Sequence, residues 1–365
     1  MLSVNEELCS KNIESLGWKS GESAAFLSLR TALQAYFESY RATYEGFPDP
    51  LKFDDSTLQS KFESDLYKTL YFTTITHFQN FFELILKDFL RKIDELLAVK
   101  WNEKFTTYLY RKIKSKELCS NVFCQSIEFS EALKRLKIIQ KENPKDDVIK
   151  KIEFLLVKEN DETLDFLNDL RNRIWHRGLY YLFYSNFDCF VCGKILPLVK
   201  QITDLDWYTK NKEWTYKNLK CGVDPIKSLI SETSKHPINY EKIALLKEMG
   251  RAAYHNPIIY LDNNCSPLER GLKVNCNREK MKYVNVKIAA IRNELLSEVY
   301  VCPVCGQNTF LKYELDDTSF DENDRYPHYI PEKLKCETCS FEIRSNIEDL
   351  SLCGINCENF WSDHD

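Results

Sequence analysis

The chain has 365 residues, with 50 Lys and Arg against 55 Asp and Glu, a net charge of −5, and only 10 Gly and 11 Pro beside 22 Phe and 20 Tyr. That length accommodates two or three domains with a sizeable core, and the aromatic-rich, Gly-poor make-up excludes a long disordered chain. The near balance of charge excludes a global basic field for nucleic acid, so any such contact must come from a local patch such as one helix face.

The first stretch, "MLSVNEELCSKNIESLGWK", lacks the charged-then-apolar order of a secretory signal. An N-terminal helical segment is expected over 1–57, where Phe26, Leu29, Leu33 and Phe37 recur at helical spacing within 24–41 before the turn-rich "EGFPDPLKFDDS". Residues 58–202 read as sequential helices at 58–99, 130–141, 148–159, 162–177 and 181–201, punctuated by "ENPKDD", "NDE" and Gly178. The first of these, containing "LYKTLYFTTITHFQNFFELILKDFLRKIDELL", is apolar on more than one face and is expected to cross the centre of a helical bundle. The most apolar stretch, "YYLFYSNFDCFVCGKILPLV", carries Asn186, Asp188 and Lys194, which suits a membrane span poorly. A helical middle region is expected over 203–300, from "YEKIALLKEMGRAAY" and "VKIAAIRNELLSEV" separated by loops such as "DNNCSPLERG". From Val301 the pattern changes: "TFLKYEL" and "LKCETCSFEI" read as short strands around the acidic loop "DDTSFDENDRYPHYIPEK". The expected fold is therefore mainly α, a bundle with helical extensions and a small C-terminal β ribbon over 301–365.

Fourteen cysteines in a chain that does not need disulfides to fold point to reduced thiols, with a cytoplasmic location and no membrane attachment expected. "CPVCG" and "CETCS" each set two cysteines at C-x-x-C spacing. A structural zinc ion wants four soft ligands in a tetrahedron, and two such knuckles flanked by strands supply them as a zinc ribbon. Cys302, Cys305, Cys336 and Cys339 are the expected ligands. With all four positions taken by protein, the metal has a structural role and none in catalysis. Cys189 and Cys192 have the same spacing, but inside "FDCFVCGKIL" they read as neighbouring core thiols. Cys353 and Cys357 are given no role.

"DLRNRIWHRGLY" sets an imidazole five positions after an arginine that an asparagine follows. At about 100° per residue, Phe166, Leu167, Leu170 and Ile174 form an apolar arc, while Asp165, Asp169, Asn172 and His176 share a polar one. Asn172 and His176, four apart, stack on one face. Arg171 falls beside Leu164, Leu167 and Trp175, a costly margin for a guanidinium unless it faces a partner or ligand. The same string is also what an ordinary helix end presents, since Arg173, His176 and Arg177 favour the negative pole of the helix dipole before Gly178. At these residues the chain resembles the HEPN superfamily, helical bundles with many ribonuclease members, whose signature is R-x(4–6)-H, often with Asn, Asp or His directly after the Arg. Arg171, Asn172 and His176 match the short form, and "ITHFQNFFELILKDFL" looks like the long first helix of that bundle. The resemblance covers about 58–202.

That resemblance implies a metal-independent endoribonuclease in which His176 is the acid/base, Arg171 stabilises phosphate and Asn172 orients the imidazole or the phosphate. Arg173 and Arg177 are candidates for holding the RNA backbone. Such enzymes dimerise so that two motifs meet. The chain has one R-x(4)-H string, because "RAAYHN" is one residue too short and "RNELLS" lacks the His. A homodimer is therefore expected. The implied setting is that of a toxin or antiphage effector, acting on RNA such as tRNA and restrained by an antitoxin or regulatory partner. The alternative is a catalytically silent adaptor whose bundle and ribbon bind nucleic acid or protein. His77, His255 and His328 read as structural or surface residues, and Glu83 is undecided. No Walker loop, dinucleotide glycine pattern or serine elbow is present.

Overall fold

The computed structural model describes residues 24–44, 64–101, 106, 110, 126–177, 181–208, 219–255, 299–316, 329–344, 347 and 350–353. The expected helix at "VKIAAIRNELLSEV" lies outside them but for its last residue, Val299, as do Gly178, His328 and Cys357. The described residues are mainly helical, with a four-stranded antiparallel sheet at the C-terminal end. None of the described helices is long and apolar enough to cross a membrane. The chain forms two compact units, Met1–Thr31 with His77–Leu156, and Ala32–Thr76 with Val157–Asp365. Helices α1 (Ala24–Glu38) and α3 (Asp65–Ile93) contribute residues to both. A short helix, α2 (Arg41–Tyr44), follows α1.

In the first unit, α3 buries Phe78, Phe81, Phe82, Ile85, Leu86 and Phe89, the i, i+3, i+4 sequence of one helical face. Phe26 of α1 meets Phe81 edge-on, with ring centroids 6.0 Å apart. Helices α4 (Phe129–Glu142) and α5 (Asp147–Leu156) add Leu133, Leu136, Ile149, Ile152 and Leu155. Each such large side chain taken fully from water contributes roughly 1.5–3 kcal/mol. The sequence pattern places a helix over 58–99; among the described residues it runs Asp65–Ile93, and side-chain caps mark both its ends. The Ser64 hydroxyl accepts from Tyr67 N at 3.1 Å and starts α3. At the other end, Asp94 accepts from Leu96 N at 2.8 Å and opens a separate 3-10 turn, Glu95–Ala98. Asp146 caps α5 in the same way, accepting from Val148 N and Ile149 N.

In the second unit, α6 (Lys158–Arg177) buries Leu164, Leu167 and Leu170. The helix expected over 181–201 is α7 (Tyr184–Phe190), a π-helical turn (Val191–Ile195) and α8 (Leu196–Thr203) in direct succession. The widened turn precedes Pro197, which has no N–H for a helical bond and whose ring crowds the carbonyl four residues back. Phe187 of α7 gathers the rings of Tyr36, Tyr67 and Tyr71, at 5.5, 6.3 and 5.0 Å. Helices α9 (Pro225–Thr233) and α10 (Tyr240–His255) follow, capped by Asp224 and Asn239. The sheet runs β1 (Val299–Tyr300), β2 (Phe310–Asp316), β3 (Tyr329–Cys336), β4 (Glu342–Arg344), each strand antiparallel to the next. The ends of the acidic segment read as loop belong to β2 and β3 instead. Tyr313 pairs with Lys333 but Glu314 with Pro331, so the register slips by one residue there. A bulge is where a strand tolerates a proline, and the proline is why the pattern read as loop.

Candidate functional site

The two hairpins of the sheet each end in a cysteine knuckle. Cys302 and Cys305 follow β1, while Cys336 closes β3 and Cys339 precedes β4. The knuckles share one backbone scheme. Cys302 N donates to Gln307 O and Gly306 N to Cys302 O, at 2.8 and 2.9 Å; Cys336 N donates to Phe341 O and Ser340 N to Cys336 O, at 2.7 and 2.9 Å. Each scheme needs a left-handed residue after the second cysteine, and Gly306 (φ 73°) and Ser340 (φ 61°) supply it. The four sulfur atoms lie within 4.8 Å of one another, with Cys302 to Cys339 and Cys305 to Cys336 both at 3.6 Å. Four thiolates about 2.3 Å from one cation form a tetrahedron with edges of about 3.8 Å. The donor set and its spacing therefore fit a structural metal. Burial pushes the Cys302 thiol up while its three sulfur neighbours hold Cys336 down. Four clustered thiolates, three of them buried, need a cation to offset their mutual repulsion.

The second knuckle is gripped by the helical part of its own unit. The Ser340 carbonyl accepts from Arg41 Nη2 at 2.9 Å and from Arg251 Nη2, and its hydroxyl from Arg251 Nη1 at 3.2 Å. Glu248, fully buried, holds both guanidinium groups: Arg41 at 2.9 Å, Arg251 at 2.7 Å. It also accepts from Glu342 N at 2.9 Å. At the first knuckle, Cys221 N and Lys220 N donate to Pro303 O and Val304 O at 2.8 and 3.2 Å. Sequence reasoning missed Arg41, Glu248 and Arg251. A glutamate in the apolar run "IALLKEMG" was the available signal.

The arginine–histidine string occupies the last turns of α6. His176 is exposed, and Asn172 and Arg171 are half-buried. Arg171 Nη1 donates to Asn172 Oδ1 at 3.1 Å, and its guanidinium carbon lies 5.9 Å from the centre of the Trp175 ring. Arg171 Nε is buried with no hydrogen-bond partner among the described residues. Arg173 pairs with Asp169 at 2.7 Å, four residues back, which offsets part of its charge. Arg177 ends the helix, and its side chain is outside the described residues. Leu167 and Leu170 form the buried stripe, as the spacing indicates, whereas Phe166 is 40% exposed and packs edge-on against Phe190 at 5.1 Å.

Comparison of the chain with family models, with curated proteins and with solved structures finds no match.

The remaining candidates resolve into packing. Glu83 accepts from Lys87 at 2.6 Å and from Gln79 at 3.1 Å. Burial pushes the half-buried His77 imidazole down, and its Nδ1 has no hydrogen-bond partner among the described residues. Cys192 is buried with its sulfur 2.7 Å from the Tyr36 hydroxyl, and Cys189 lies 3.5 Å from that of Tyr240. Beside Cys192 sits a network the sequence did not announce. Lys247 and Asp188, both fully buried, pair at 2.8 Å. The Tyr36 hydroxyl donates to the same Asp188 oxygen at 2.8 Å, and the ammonium lies 4.5 and 4.3 Å from the ring centres of Tyr36 and Tyr184. Burial pushes Asp188 up, opposed by the ammonium, and pushes Lys247 down, opposed by the carboxylate.

Proposed function

We propose that the chain is a metal-independent endoribonuclease of the HEPN type, acting as a homodimer, with zinc in the four-cysteine site. The observation that carries this reading is the joint position of Arg171, Asn172 and His176 on the last turns of one helix. The imidazole is open to a ligand, and the guanidinium is steadied by the amide beside it.

RNA carries its own nucleophile. In the proposed step, the 2′-oxygen attacks phosphorus and the bond from phosphorus to the 5′-oxygen breaks. One imidazole takes the 2′-hydroxyl proton and the departing 5′-oxygen gains one, leaving a 2′,3′-cyclic phosphate and a 5′-hydroxyl. Imidazole is suited to both transfers because it exchanges protons near neutral pH. Arg171 offsets the charge that grows on the phosphorane oxygens, and Asn172 fixes the guanidinium that does so. A second copy supplies a second imidazole, which separates the base from the acid. The residues 58–202 are then a HEPN-like bundle, and the ribbon serves recognition or assembly. The setting of a toxin or antiphage effector, with tRNA-like substrates and a regulatory partner, follows from the family resemblance alone.

Arg173 gives the second reading its support, because its pairing with Asp169 leaves less charge for a phosphate and suits a silent adaptor. One comparison separates the two. Purified parent protein should cut RNA to cyclic-phosphate ends and leave a matched DNA strand whole, while His176→Ala should lose at least about 100-fold in rate, the scale of general acid–base catalysis. Equal inertness of parent and variant supports the adaptor, and DNA cut at a similar rate rules out 2′-hydroxyl attack.

A further inference from the structure

We propose that Trp175 is a stacking platform for a nucleobase of single-stranded RNA, set beside the Arg171–Asn172–His176 motif. The inference rests on the ribonuclease reading and names the part of the substrate that the motif itself leaves unbound.

Tryptophan is highly buried on average, yet Trp175 is 55% exposed although its backbone lies within α6. The ring is nevertheless held. Phe72 of α3 supports it with centroids 5.4 Å apart and planes tilted by 58°. The Arg171 guanidinium, one turn earlier on the helix, lies 5.9 Å from its centre. An aromatic ring fixed in this way loses little further freedom when a second ring stacks on it.

The surroundings decide between two occupants. A contact with a second copy would want apolar neighbours, because interface cores are depleted in charge. Trp175 stands instead among Arg171, Asn172 and His176, with the Arg173–Asp169 ion pair on the preceding turns. Sites for single-stranded RNA combine an aromatic face for the base with a cation for the phosphate. Helix α6 offers both within one turn. A base on Trp175 sets its phosphate near the Arg171 guanidinium and its ribose near the exposed imidazole. Trp175 is thus a positioning residue, acting through where it holds the ribose.

The test uses the full chain in a His176→Ala background, so that binding of a labelled single-stranded RNA is read by fluorescence anisotropy without cleavage. Adding Trp175→Ala should weaken that binding by about five- to a hundred-fold, the range of one base–aromatic stack, while Trp175→Phe should keep most of it. A fully paired duplex, whose bases are already stacked, should not distinguish the variants. Equal affinity of the Ala and Phe variants for single strands, or no binding by the His176→Ala protein, overturns the platform. A loss of dimer with Trp175→Ala at unchanged RNA affinity also overturns it and makes the ring a subunit contact. The two readings fail separately. Trp175-dependent binding by a parent that cuts nothing keeps the platform and removes the nuclease; cutting with Trp175-independent affinity removes the platform alone.

Discussion

At the scale of single residues, the costliest arrangement in the second unit is the buried pair of Asp188 and Lys247. Removing two charges from water is expensive, and their attraction repays it only where the remaining hydrogen-bonding capacity is filled. Tyr36 and the two flanking rings meet part of that demand, yet Asp188 Oδ2 has no partner among the described residues. By that balance the pair is expected to add little net stability. Lys247→Met should destabilise the protein by about 3–5 kcal/mol, because it strands the carboxyl group in a dry interior. Asp188→Leu combined with Lys247→Met should recover most of that loss. Urea unfolding of the single and double variants measures both, and a double variant as unstable as the single would mean that the ion pair itself, and not relief of a stranded charge, is what the fold requires.

At the scale of elements, legibility followed the range of the interaction. The helix Ala24–Glu38 and the stripe on α6 are periodic, and periodicity is local, so the sequence pattern reveals them, though not the turn that ends the first before Arg41. The cysteine knuckles are local too, each closed by hydrogen bonds across five residues. The grip on Ser340 joins Arg41 to a residue 299 positions away, and nothing in either neighbourhood announces the other. The π-helical turn has no apolar period of its own, and Pro331 disguised a strand as a loop. The approach of α10 to α1 belongs to the same hidden class, since it depends on a missing side chain. A Cβ at Gly250 would lie 2.6 Å from the Phe37 ring, which is fully buried and cannot swing aside. Gly250→Ala gains up to about 1 kcal/mol of helix propensity, but overpacking costs typically about 1–3 kcal/mol. The net effect should be a lower Tm. Gly193→Ala, whose Cβ would meet the Thr233 side chain no closer than 3.8 Å, is the matched control and should leave Tm unchanged or raised.

At the scale of the whole molecule, a metal in the four-cysteine site would act as a fastening within its unit. Four thiolates on a divalent cation leave a net negative centre, and Arg41 and Arg251 stand at its second knuckle with Glu248 balancing them. Loss of such a cation would free the thiols to repel or protonate, open the knuckle and withdraw the Ser340 carbonyl from both guanidinium groups. Buried Glu248 and Arg251 would then keep each other, Arg41 and the Glu342 amide but lose the Ser340 carbonyl and hydroxyl. Metal binding would accordingly be folding free energy for α10 as well as for the sheet. Chelation should lower Tm and raise amide hydrogen exchange over Tyr240–His255 as well as in β2 and β3. Arg251→Ala should raise exchange over that helix while the four cysteines still hold metal, as read by bound-metal analysis, since the ligand set is untouched. Exchange that rises in the strands alone on chelation would show the ribbon to be an independent module and the arginine clamp to be a passive contact.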